Sequence, residues 1–135
     1  MNISDSIATI MTTNVVTVSP SQKLIDVKHI YEKKQFHHHI PVVENGKFVG
    51  MISLIDFMIA IKDAGLRDDE KVYSEKTVKD IMSVHPFSKS STASIKDVAQ
   101  ELAKGEFHAV VIADDSILKG IVSTADVIRY FVANS

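Results

Sequence analysis

A chain of 135 residues, 45% of them hydrophobic, is about one domain long and can bury a sizeable core, which excludes a disordered tail. Its 15 basic and 17 acidic residues are mixed along the sequence to a formal net charge of −2, so no basic stripe is available for a phosphate backbone and nucleic acid is not an expected partner. The absence of cysteine excludes disulfides and thiol catalysis and accords with a reducing cytoplasm, the expected location; no signal peptide and no membrane-length apolar stretch is read, so no membrane is expected either.

In chain order, a short lead helix is expected over Ser4 to Met11, then a β-branched strand, Val15-Val16-Thr17-Val18, stopped by Ser19-Pro20. From Ser21 to Lys34, Leu24, Val27, Ile30 and Tyr31 recur at spacings of three and four, the buried face of an amphipathic helix whose other face carries Lys23, Lys28, Lys33 and Lys34. Two strand runs follow, His39 to Val43 and Lys47 to Ile52. Asn45-Gly46 between them supplies the positive φ angles of a tight hairpin. Ser53 opens a helix to about Lys62, completing β-α-β-β-α. The segment 63–76, with Gly65 and the charged run Arg67 to Lys71, reads as a solvated, part-helical connector without a function.

The same order then recurs. A lead helix is expected over Thr77 to Met82, a weaker strand over Pro86 to Ser88, and a helix from Ser94 to Lys104 that Gly105 ends. Strands at His108 to Ala113 and Ile117 to Val122 flank Asp114-Asp115-Ser116, and a last helix runs from Ser123 to about Val132. Met82 lies 71 residues after Met11, and Gly120 lies 70 after Gly50, so the two copies differ by one lost residue. Each copy, at about 50 to 60 residues, is marginal as a lone core, so the halves are expected to fold against one another and to share a cleft of the kind that takes small ligands.

The paired Ile10-Met11 and Ile81-Met82, the run His39-Ile40-Pro41-Val42-Val43-Glu44-Asn45-Gly46, and the two endings Gly50-Met51-Ile52-Ser53-Leu54-Ile55-Asp56 and Gly120-Ile121-Val122-Ser123-Thr124-Ala125-Asp126 carry a resemblance to a tandem pair of CBS domains, a Bateman module. The resemblance covers the chain from about Ser6 to Val132 and rests on two copies in register, since one Ser-x-x-Asp is also an ordinary capping box. It implies a mixed α/β fold of two β-α-β-β-α repeats, residues 6–62 and 77–133 around a connector at 63–76, packed through their sheets with pseudo-two-fold symmetry. It also implies a regulatory ligand-binding module without a catalytic centre or metal. Its expected ligands are AMP, ADP, ATP or S-adenosylmethionine, and its expected partner is an unknown effector protein.

Ser53 and Ser123 stand where a strand turns into a helix, so hydroxyl, first-turn N–H groups and helix dipole favour an anion there. The carboxylate three residues on, Asp56 or Asp126, suits a ribose diol. In CBS pairs the sites are crossed: the base lies against one repeat and the sugar and phosphate reach the Ser-x-x-Asp of the other. Carried over, that implies one site from Val15, His37, His38, Ser123 and Asp126 with His108. The other would use Pro86, Phe107, His108, Ser53 and Asp56 with His38 and His39. Pro86 departs from the pattern, because it has no N–H for an adenine ring nitrogen, while Phe107 could stack on a base. Three consecutive histidines, His37-His38-His39, do not converge on an extended chain, so no metal is expected from them.

The helices after Ser53 and Ser123 are apolar nearly all round (Leu54 to Ile61, Val127 to Val132), and covering both faces calls for a homodimer. The competing reading of the whole chain is an interaction or dimerisation module with vestigial pockets. An enzyme is not expected, for want of a P-loop, a Gly-x-Ser-x-Gly elbow or a cysteine nucleophile.

Overall fold

The repeat legible in the sequence folds as two units, but each unit takes its lead segment from the other copy. In the computed structural model, which describes residues 2–33, 38–84 and 87–135, one unit comprises Val16–Pro86 and the other Met1–Val15 with Phe87–Ser135.

The Val16–Pro86 unit contains α1 (Leu24–Tyr31), the hairpin of β1 (His39–Glu44) and β2 (Lys47–Ser53), α2 (Leu54–Ala60), and two short helices, α3 (Lys71–Glu75) and α4 (Val78–Ile81). The hairpin is antiparallel, pairing His39 with Ser53 and Glu44 with Lys47, and a bulge lies between Val42 and Val43. Asn45 (φ 52°) and Gly46 (φ 79°) form its turn, as two adjacent residues able to take positive φ should. The expected strand Val15 to Val18 is reduced to one bridge, Val18 beside Val42. The connector is part-helical through α3, and Tyr73 on that helix is fully buried and donates its hydroxyl to the Gly65 carbonyl at 2.8 Å.

The predicted apolar face of α1 buries Leu24 and Val27 with Val18, Ile40, Val42, Ile52, Phe57, Ile61, Tyr73 and Val78. A buried aliphatic side chain of this kind contributes roughly 1.5–3 kcal/mol, so these residues dominate the unit's stability. Val78, Ile81 and Met82 come from the second lead segment and close this core. Ser83 bonds Met51 in both directions, N–H to carbonyl, at 3.1 and 2.9 Å.

The other unit repeats the plan with β3 (Ser88–Lys89) parallel to β4 (Ala109–Asp114), β4 antiparallel to β5 (Ile117–Ser123), α5 (Ile95–Ala103) and α6 (Thr124–Ala133). Its hairpin carries a matching bulge between Ile112 and Ala113, and Asp115 and Ser116 take φ 51° and 67° at the turn. The strand expected at Pro86 to Ser88 is observed at Ser88–Lys89, and Pro86 itself lies outside the described residues. The first lead segment is a single 3-10 turn, Ile7–Thr9, capped by Ser6. Ile7, Ile10 and Met11 pack with Ile95, Val98, Leu102, Val110, Ile112, Val122 and Val127. Thr12 exchanges backbone hydrogen bonds with Ile121 at 2.9 Å, mirroring Ser83 and Met51.

Candidate functional site

The two Ser-x-x-Asp segments have the same local geometry. Ser53 Oγ accepts the Asp56 N–H at 3.0 Å while Asp56 Oδ2 accepts the Ser53 N–H at 3.0 Å. Ser123 and Asp126 do the same at 3.1 and 2.9 Å. Each is a complete capping box, formed because the serine ends a strand in extended conformation and the chain turns at once into a helix. The capping role does not use up the motif. A serine hydroxyl that accepts from N3 still has a proton to donate, and each carboxylate has a second oxygen.

The backbone before each hairpin is tied to these helix starts. Leu54 N–H donates to the His38 carbonyl at 2.8 Å, and Thr124 N–H donates to the His108 carbonyl at 2.9 Å, so His38 and His108 hold equivalent positions as their 70-residue separation requires. Tyr31 Oη reaches the same His38 carbonyl at 3.3 Å, and its ring lies 5.4 Å from that of Phe57. Burial, with the nearby Asp56 charge second, raises the Tyr31 phenol well above its ordinary range, so it acts as a neutral donor. In the other unit Phe107 pairs with Phe87 at 5.5 Å, and Lys89 Nζ sits 5.9 Å from the Phe87 ring centre; Phe87 remains 44% exposed.

Of the residues singled out in the sequence, Val15, Phe107, His108, Ser123 and Asp126 belong to one unit. His38, His39, Ser53 and Asp56 belong to the other, and His37 and Pro86, within that unit's range, lie outside the described residues. Tyr31, Phe87 and Arg129 belong to no motif that singles them out. The apolar spacing puts Tyr31 on the buried face of its helix, and its hydroxyl's reach to His38 follows from the fold. Arg129 donates from Nη1 to Asp126 Oδ1 at 2.7 Å, and its signal was the i, i+3 spacing of opposite charges.

Two further features lie in the Val16–Pro86 unit. A groove of about 410 Å³ is lined by Asp56 and Ala60 of α2, Asp80 and Ile81 of α4, and Lys62 and Lys76. His29, Glu32 and Asp68 place ligand atoms within 4.8 Å of one another, but the Lys28 ammonium already lies 2.8 Å from Glu32 Oε2 and 2.7 Å from Asp68 Oδ1. An internal cation therefore serves these carboxylates. No helix among the described residues is long and apolar enough to cross a membrane.

Comparison with known proteins agrees with this architecture. The family model described as the CBS domain matches residues 7–63 and 78–133. The CBS domain-containing protein YhcV of Bacillus subtilis is 31% identical over 121 residues, covering 90% of this chain and 81% of that protein. An uncharacterized protein of Methanocaldococcus jannaschii is 36% identical over 121 residues, and there the chain spans only 41% of the relative's length. Among solved structures, CBSX2 of Arabidopsis thaliana in complex with AMP superposes with a TM-score of 0.79 at 25% identity, covering 96% of this chain and 97% of that one. The CBS domain pair of protein MJ0100, solved with 5′-methylthioadenosine and S-adenosyl-L-methionine, gives 0.77 at 22% identity, a likeness of fold, over 97% of this chain and 98% of the other. With two matched copies, a mixed α/β fold and relatives of the same organisation, the chain belongs to the CBS domain family as a tandem pair.

Proposed function

We propose that the chain is a non-catalytic regulatory module that binds an adenosyl ligand, with AMP, ADP or ATP ahead of S-adenosylmethionine, and signals its occupancy to an effector protein. The observation that carries this reading is the doubled Ser-x-x-Asp helix start with matched hydrogen-bond geometry in both copies. A donor hydroxyl beside a carboxylate at the positive end of a helix suits a ribose next to a phosphate. The AMP complex of CBSX2 supports the same ligand class. Binding that favours one of two conformations is sufficient for signalling, because a ligand shifts a population by its differential affinity.

Thermal shift with AMP, ADP, ATP, NAD and S-adenosylmethionine tests the reading. Ligand at one hundred times Kd is expected to add about 2.7 kcal/mol. Flat melting curves at millimolar ligand across the panel would refute it. Asp126→Ala is expected to weaken binding more than Asp56→Ala, because Val15 has an N–H to offer an adenine nitrogen where Pro86 has none. A stronger effect at Asp56 reverses that ranking.

A second reading is favoured by the surfaces of the two long-apolar helices. In α2, Ile55, Met58 and Ile59 are 68%, 58% and 62% exposed, and in α6 Ile128 and Val132 are 56% and 72% exposed. Large aliphatic side chains clustered on one helix mark an interaction surface, and we assign it to a homodimer. Dimerisation with silent pockets is the alternative function, separated from the first by the same ligand panel.

A further inference from the structure

Asp126 and Asp56 hold the same place in their copies but keep different company. Asp126 Oδ2 is engaged by the Ser123 N–H at 2.9 Å and Oδ1 by the Arg129 guanidinium at 2.7 Å, so each oxygen already accepts one hydrogen bond. At Asp56 the Ser53 N–H takes Oδ2, and the residue 70 before Arg129 is Ile59, which has nothing to donate to Oδ1. The Arg129 side chain is 71% exposed, against 18% for Asp126. An ion pair so open to water adds little to stability, so stability does not account for it.

We propose that Arg129 makes the Asp126 motif selective for phosphorylated adenosyl ligands over unphosphorylated ones, by exchanging the Asp126 carboxylate for the ligand's phosphate. The proposal rests on the ligand class assigned above. A ribose diol that bonds Asp126 Oδ1 competes with the guanidinium for that oxygen and its charge. Adenosine displaces the guanidinium into water and offers it no anion in return. AMP offers a phosphate a few ångströms from its ribose, within the swing of an exposed arginine side chain, and the planar fork of a guanidinium fits a phosphate as well as a carboxylate. Selectivity is a difference between two affinities, so it arises even if the net gain for AMP is modest. With Ile59 at the matching position, the Asp56 motif has no such exchange.

The test is titration calorimetry on the full chain carrying Asp56→Ala, so that the Asp126 motif is read, with AMP and adenosine as probes. Arg129→Gln is expected to cut the AMP-to-adenosine affinity ratio about tenfold, mainly by weakening AMP. Arg129→Lys, which keeps the charge without the fork, is expected to fall between. The melting temperature of the ligand-free chain should not move. A ratio unchanged by Arg129→Gln, or a loss of equal size for both ligands, overturns the proposal while leaving nucleotide binding standing. A parent chain, with Asp56 intact, that binds neither probe overturns this proposal, and flat melting curves across the whole ligand panel overturn the functional reading with it.

Discussion

Lys28 Nζ lies 2.7 Å from Asp68 Oδ1, joining α1 to the connector across 40 residues of sequence. The same ammonium is 2.8 Å from Glu32 Oε2 and 5.6 Å from the Tyr73 ring centre, while Asp68 Oδ2 lies 3.0 Å from His29 Nε2. A lysine 4% exposed is costly without partners, and here two carboxylates and an aromatic face supply them. The connector is therefore part of the Val16–Pro86 unit rather than a loose strap.

Asp68→Ala is accordingly expected to lower the melting temperature by more than Asp69→Ala, whose partner Arg67 is on the surface, 79% exposed. Lys28→Met, which fills the volume and removes the charge, is expected to cost less than Asp68→Ala, because it leaves no buried ammonium short of a partner. Thermal denaturation of the three variants checks the order, and equal melting temperatures for Asp68→Ala and Asp69→Ala would show that the latch contributes nothing.

Acid sensitivity follows from the carboxylates that accept hydrogen bonds in the folded state. Asp68 is held below its ordinary range by Lys28 first and His29 second. Asp80 is lowered by Thr77, Asp97 by Ser94, and Asp114 by Ser91 and Ser90. A depressed folded-state pKa gives stability that is fully present above the unfolded carboxylate value, about 3.9, and lost as pH falls through the folded value. Lys28 has the opposite sign: Asp68 and Glu32 raise it, so its contribution is complete below the ordinary lysine range and lost only in stronger alkali. Melting temperature is expected to be flat from neutral to mildly acidic pH and to fall below about pH 4. Asp114→Asn should flatten that fall, and an unaltered acid limb in this variant would contradict the assignment.

Gly50 and Gly120 mark where each lead segment presses on a strand. A Cβ at Gly50 would lie 2.7 Å from Met82 Sδ and 2.9 Å from the Ser83 carbonyl oxygen. At Gly120 it would lie 2.7 Å from the Thr12 carbonyl oxygen and 2.8 Å from Met11 Sδ. The methionines can move, but the carbonyls belong to backbone bridges. Gly50→Ala and Gly120→Ala are each expected to cost about 1–3 kcal/mol in chemical denaturation. By contrast, nothing lies within 4 Å of a Cβ at Gly46, so any cost of Gly46→Ala comes from its positive φ alone. Full stability in both strand variants would show that the lead segments are not clamped.

Much of this was legible in the residues. The period of α1, the two hairpins and both capping boxes rest on local chemistry: apolar spacing, adjacent turn residues, and Ser and Asp three apart. The Val15 to Val18 run has the β-branched composition of a strand, yet a ladder needs a neighbour. Thr12, three residues before the run, bridges Ile121 in one unit and Val18 bridges Val42 in the other, so within the run only Val18 pairs. The exchange of lead segments was not legible either. Ile10-Met11 and Ile81-Met82 are the same pair, so the apolar pattern is identical whichever core receives them. The ion pair of Lys28 with Asp68 was hidden by composition, since Lys28 stood among the lysines of a solvated face and Asp68 among the charges of a solvated run.

The last expectation concerns assembly. Met58 in α2 and Ile128 in α6 stand 70 residues apart at equivalent positions, and each is more than half exposed in the single chain, at 58% and 56%. In a monomer, glutamate at either site would meet water and change stability little, since surface substitutions are usually within about 0.5 kcal/mol. In a dimer that uses these helices, the same glutamate would bury an unpaired carboxylate, which is strongly unfavourable. The chain is therefore expected to sediment as a dimer at micromolar concentration, and Met58→Glu and Ile128→Glu are each expected to shift it to monomer. Circular dichroism separates dissociation from unfolding, because these helices enter the cores of their units through Phe57 and Val127 and not through Met58 or Ile128. A wild-type chain that stays monomeric at high concentration, with both variants equally stable, would remove these helices as an interface.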